Sequence, residues 1–168
     1  MSWDNDDNGF DFNFDDLSPE ERKEINRKMN ERKIRIENHP LVIKAEVVFN
    51  IVSAFITTIP ADEREVYSGI LMESAMMLKP KIAGAMGSDS WLLSMQNASL
   101  IRYHAEYLLT STSGFNHFFE ADRDYVKLFR NELIEFKNLF KEWIKEINQL
   151  EQEEYIDEWG LFIRKQNN

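Results

Sequence analysis

The chain has no cysteine among its 168 residues, which excludes disulfides, thiolate metal ligands and thiol nucleophiles. Glycine and proline are scarce, at six and four residues, too few for the many turns of a β-rich fold. Histidine occurs only as His39, His104 and His117. A di-metal site in a helical bundle needs Glu-x-x-His pairs on two helices, and His117 with Glu120 supplies only one. There is no glycine-rich phosphate loop and no Gly-x-Ser-x-Gly elbow. No catalytic residue, cofactor or metal is therefore expected. The first residues, MSWDNDDNGFDFNFDD, are acidic where a secretory leader would be basic and apolar. Together with the missing cysteine, this points to a cytoplasmic protein.

The charge present is strongly of one sign. The formal net charge is −10, which disfavours a broad nucleic-acid surface. Its distribution is uneven: residues 1–21 hold eight acids and no base, whereas 22–37 hold seven bases against three acids. Residues 1–17 interleave Trp3, Phe10, Phe12 and Phe14 with aspartates, and carboxylate repulsion reads as a disordered tail. Such a tail either solubilises the chain or offers an acidic-aromatic peptide to a groove.

Five helices are predicted. Ser18, Pro19 and Glu21 form an N-cap, a first-turn proline and a capping box for a basic helix reaching about Glu37, within an 18–39 segment. Its cations Arg22, Lys23, Arg27, Lys28, Arg32, Lys33 and Arg35 are the one place where phosphate could bind, although they spread around the helix. Pro40 and Pro60 bracket an apolar helix, with thirteen of residues 41–59 apolar. Lys44, Glu46 and Asn50 within it favour a central soluble helix over a membrane span. Its inner stripe is Leu41, Ala45, Val48, Val52 and Phe55. The surplus apolar positions Ile43, Val47, Ile51 and Ala54 suggest either an oligomer face or burial beneath neighbouring segments.

Asp62 is expected to cap the third helix, with Val66, Ile70, Met77 and Ile82 inward and Pro80 kinking it before Gly84 and Gly87. Ser88 or Asp89 is expected to cap the fourth, from Ser90 to Ser113, with Gly114 just beyond. On that helix Arg102 shares a face with Trp91, Met95, Ala98, Ala105 and Leu109, and so needs a partner. His104 is placed near the surface. The fifth helix carries a stripe of Phe129, Leu133, Phe136, Phe140, Trp143, Ile147 and Leu150, the core face of an antiparallel helix. Residues 151–168 are acidic and then apolar, and read as a tail folding back.

The fold class that follows is all-α: an antiparallel up-and-down four-helix bundle over 40–150, with an extra N-terminal basic helix and flanking tails. Met77-Leu78-Lys79-Pro80-Lys81-Ile82-Ala83-Gly84 and Ala98-Ser99-Leu100-Ile101-Arg102 sit where two motifs fall in a known family. The chain resembles the four-helix-bundle family encoded in intervening sequences of bacterial large-subunit ribosomal RNA genes, and is similar to the accessory protein of diversity-generating retroelements. It departs from the pattern at Pro80, one residue late, at Lys81 in place of Asn, and at Gly84 in place of Glu. The resemblance implies a ring-like homo-oligomer, commonly a pentamer, and an ion pair between Glu73 and Arg102. Accessory members bind a reverse transcriptase and nucleic acid through a basic surface.

The leading functional expectation is thus a non-enzymatic, homo-oligomeric bundle adaptor for an unknown protein partner, in association with nucleic-acid machinery and without a membrane association. Direct RNA or DNA binding through residues 22–35 is the alternative. An enzyme built on the bundle core comes third.

Overall fold

The computed structural model describes residues 17–118 and 123–150. The acidic-aromatic segment, the acidic-apolar segment after Leu150 and the side chain of His117 lie outside the described residues. The protein is all-helical, with α1 (Pro19–Glu37), α2 (Pro40–Thr58), α3 (Ala61–Met86), α4 (Trp91–Phe118) and α5 (Arg123–Ile147). Among the described residues there is no strand. The chain divides into two compact units, Met1–Ile34 and Arg35–Asn168.

In the first unit the capping box forms. The Glu21 N–H donates to Ser18 Oγ at 3.3 Å while the Ser18 N–H donates back to Glu21 Oε2 at 2.9 Å. That reciprocal bond satisfies two donors that a helix start leaves open. It also holds the Glu21 carboxyl below its ordinary value, chiefly through the backbone of Ser18. No residue of α1 is buried.

In the second unit α2 touches α3 and α5, and α4 touches the same two helices, enclosing one apolar interior. The α2 stripe Leu41, Ala45, Val48, Val52 and Phe55 is buried as its spacing predicts, joined by Val42 and Ile56. By length and composition α2 could cross a membrane, yet this stripe is covered by neighbouring helices. Phe55 anchors an aromatic cluster, with ring centroids 4.6 Å from Phe115, 5.7 Å from Phe129 and 6.0 Å from Tyr125. Burying such a ring contributes roughly 1.5–3 kcal/mol. On α5 the predicted stripe is also buried, apart from the half-buried Phe140 and Leu150, and Val126 extends it.

On α3 and α4 the inward faces agree with expectation in part: Ile82 and Ala98 are buried and Trp91, Met95, Ala105 and Leu109 pack against the core. The buried residues of α3 are Leu71, Ser74, Ala75, Leu78, Ile82 and Ala85, whereas Val66 and Ile70 are exposed. Both helices are apolar on two sides, and the larger set at 3–4 spacing wins the interior. On α4 that set is Ser94, Ala98, Ile101, Leu108, Thr112 and Phe115, which turns Arg102 outward. Helix α3 starts at Ala61 with Pro60 as N-cap, so Asp62 belongs to the first turn. It continues through the exposed Pro80. Ser90, not Ser88 or Asp89, caps α4, its Oγ accepting the Leu93 N–H at 3.4 Å. Helix α4 then runs past Gly114 to Phe118.

Candidate docking surfaces

The seam between α3 and α4 is marked by a buried polar contact. His104 Nδ1 lies 3.3 Å from Ser74 Oγ, with His104 9% and Ser74 3% exposed. The predicted surface position of His104 is thereby corrected: its ring replaces water with a hydroxyl partner. One turn to either side of this contact, Ile70 and Met77 on α3 and Leu100 and Tyr107 on α4 border the same seam on its outer side. Ile70 and Leu100 are exposed. The apolar surface extends to Val66, Met76, Leu93 and Tyr103, the last 66% exposed.

The outer face of α4 here carries no charge. From Ser90 to His117 the only Asp, Glu, Lys or Arg residues are Arg102 and Glu106. Both line the opposite flank of the helix, facing α5. In a chain of net charge −10 such a stretch is a legible signal, and its outer face lies apart from the inward stripe of Trp91, Met95, Ala98, Ala105 and Leu109. Exposed apolar residues of this kind make the face a candidate interaction site.

The α2 positions expected to form an oligomer face do not act as one set. Ile43 and Ala54 are exposed, while Val47 and Ile51 are half-buried, with Ile51 packed on the core. The Tyr125 hydroxyl donates to the Ile51 carbonyl at 3.3 Å, and burial pushes that phenol up. Beside them Lys44 Nζ contacts Glu132 Oε2 at 2.7 Å and Glu135 Oε2 at 2.6 Å. The two carboxylates, Glu132 first, raise the lysine's pKa. On this side of α2 Lys44 and the Ile51 carbonyl meet α5, while Ile43 and Ala54 stay exposed.

The structure does not join Glu73 to Arg102. Arg102 Nε instead meets Glu106 Oε2 at 3.3 Å within its own helix, and the Arg102 side chain is 73% exposed. Glu73 is also exposed. The outward turn of α4 removes the need for a cross-helix partner, because water solvates the guanidinium.

Between α4 and α5 lies a groove of about 290 Å³. Phe136, Phe140, Leu133, Leu109 and Ala105 form its floor, and Arg102, Lys137, Lys141 and Glu106 its rim. Among the described residues neither Lys137 nor Lys141 has a carboxylate within ion-pairing distance. At the end of the same unit, a cleft of about 330 Å³ is lined by Ile36, His39, Met86, Trp143 and Leu150 among others. His39 caps α2, accepting the Leu41 N–H on Nδ1 at 3.2 Å, which leaves Nε2 facing Glu146 Oε2 at 3.7 Å.

The basic helix has partners of its own. Arg27 reaches Glu24 and Glu31, each at 2.7 Å, and Lys28 lies 3.5 Å from Glu24. The hydrogen bond to Glu24 is the main reason the guanidinium is held above its ordinary pKa, and it lowers that carboxyl in return. Arg22 Nε donates to the Leu17 carbonyl at 3.0 Å. Lys23, Lys33 and Arg35 are exposed and Arg32 is half-buried. Arg35 belongs to the second unit, where it borders the end cleft. The seven cations therefore do not form one phosphate-facing row.

Among the described residues no three His, Asp or Glu side chains converge as metal ligands. The chain matches no protein-family model, no curated protein and no solved structure.

Proposed function

We propose that this chain is a non-enzymatic helical-bundle adaptor that assembles with copies of itself and offers the assembly to a protein partner. The uncharged outer face of α4, with exposed apolar residues of α3 beside it, carries this reading. Copies of net charge −10 repel wherever charged surfaces meet, so a self-contact is least opposed where α4 is uncharged. That face holds Leu93, Leu100, Tyr103 and Tyr107 on α4 beside Val66, Ile70 and Met77 on α3. Exposed aromatic and large aliphatic residues are the anchors that interfaces favour.

The second unit is read as an antiparallel up-and-down four-helix bundle. In support, Lys44 meets Glu132 and Glu135 whereas the later Ile51 meets the earlier Tyr125, so α2 and α5 run oppositely. Ser74 meets His104 and the later Ala85 meets the earlier Ser94, which supports the same for α3 and α4. The resemblance to the intervening-sequence family points to ring-like assembly. Nucleic-acid binding through residues 22–35 fits less well, because Arg27 and Lys28 already face Glu24 and Glu31.

Light scattering over a range of concentrations tests the proposal. The native chain should have a mass several times that of one copy. Tyr103→Glu with Leu100→Glu should shift it toward the monomer while leaving helicity unchanged. A native mass equal to one copy at every concentration would refute self-assembly.

A further inference from the structure

The groove between α4 and α5 is a cationic place on an acidic chain, and it lies outside the face assigned to self-assembly. Lys137 and Lys141 are one helical turn apart, an arrangement of like charges that costs free energy until an anion lies between them. Arg102 adds a third cation across the groove, against one carboxylate, Glu106. Below the rim Phe136 and Phe140 offer an apolar floor. The occupant that fits is anionic and carries aromatic side chains.

The sequence contains such a segment. Phe10, Phe12 and Phe14 alternate with Asp11, Asn13 and Asp15. In extended form a period of two sends the three rings to one side and both carboxylates to the other. Phe10 to Phe14 then spans about 13 Å, at roughly 3.3 Å per residue. The groove runs along α5 from Leu133 to Lys141, about 12 Å at 1.5 Å per residue. Spacing, polarity and charge sign agree along one line.

We infer that the α4–α5 groove binds residues 10–15 of a second copy, with the phenylalanines on the floor and the aspartates toward Lys137, Lys141 and Arg102. The inference rests on the homo-oligomer reading and adds a specific intercopy contact to it. The segment precedes α1, a helix about 28 Å long with no buried residue. An arm that enters a groove elsewhere on its neighbour is a heterologous contact, the kind that closes into rings.

Because the chain lacks cysteine, two introduced thiols report one contact. Full-length Asn13→Cys is mixed with full-length Glu106→Cys under mild oxidation and resolved without reductant. A disulfide-linked pair of chains is expected, and Lys137→Glu with Lys141→Glu in the second variant should abolish most of it. Glu65→Cys on α3 is the control partner and should give little product. No linked pair, or a yield no greater than the control, overturns the inference. So does preferential closure of one chain bearing both thiols, read as a faster-migrating monomer that persists on dilution. Light scattering on the same samples separates the two readings: oligomers without the disulfide defeat only the arm, whereas monomers defeat both.

Discussion

Replacing Lys44 by methionine keeps the length of the side chain and removes its ammonium, which the structure shows facing two carboxylates. The two contacts differ in worth. Glu135 is 60% exposed, so its pair with Lys44 is a surface pair contributing about 0–1 kcal/mol. Lys44 and Glu132 are 18% and 19% exposed, so the substitution leaves a largely buried carboxylate without its donor, costing about 1–3 kcal/mol. Together a loss of about 1–4 kcal/mol is expected, or a Tm roughly 2–16 °C lower for a chain of this size. Urea unfolding followed by circular dichroism, at fixed protein concentration, reads it directly. Adding Glu132→Gln should recover part of the loss, because the stranded charge is then gone. Adding Glu135→Gln should recover less. The pH dependence has a definite sign. Hydrogen bonds to Glu132 and then Glu135 raise the lysine's pKa in the folded chain. The ion pair's contribution is therefore fully present below the ordinary lysine value of 10.5 and is lost as pH rises through the raised folded value. The gap between native and variant should stay flat through neutral pH and narrow in strong alkali. A Lys44→Met chain within about 0.5 kcal/mol of native, the spread of ordinary surface substitutions, would refute the argument.

Other outcomes are expected along the same lines. Phe55→Ala should cost about 3–5 kcal/mol in denaturant unfolding, since Phe55 is fully buried and three aromatic rings surround it. Leu128→Ala, an exposed change on α5, is the matched control and should cost far less. In a peptide spanning residues 17–38, Ser18→Ala should lower helicity by circular dichroism. Native-peptide helicity should itself fall as pH drops through the lowered Glu21 value and below, because that carboxylate closes the capping box. Tyr103→Glu with Leu100→Glu should lower the assembled mass without lowering the unfolding midpoint of the single copy.

How much of this could be read from the sequence depended on what shared each helix with its apolar stripe. Helix α5 has charged residues around Phe129, Leu133, Phe136 and Trp143, so only one face could turn inward, and the reading agreed with the structure. The α2 stripe was equally plain, with Pro40 and Pro60 fixing its ends. On α3 and α4 the period was right and the centre of the face was displaced: Trp91, Met95, Ala98, Ala105 and Leu109 do pack on the core, but Arg102 does not. Val66 and Ile70 have the hydrophobicity of core residues yet line an outer face, while Leu71, Ala75 and Leu78 take the interior. On α4 the alanines at 98 and 105 drew attention away from Ile101 and Leu108, which bury more surface. That displacement set Arg102 where it would need a partner, for which the family resemblance implied Glu73. The groove was invisible in the sequence because it joins residues some thirty positions apart on two helices. The uncharged stretch of α4 was visible, as a long run without acids or bases.

Proline in the middle of α3 has a consequence for how the protein opens. Pro80 and Met76 are on the wet side of their helix, so the Met76 carbonyl, which proline leaves without a helical N–H donor, is open to solvent, while Leu78 and Ile82 keep the dry side sealed. Fraying that begins there can spread along the outer strip of backbone without first admitting water to the centre. Deuterium should therefore enter the outer amides around residue 80 well before those of α2, whose exchange awaits loss of the whole fold.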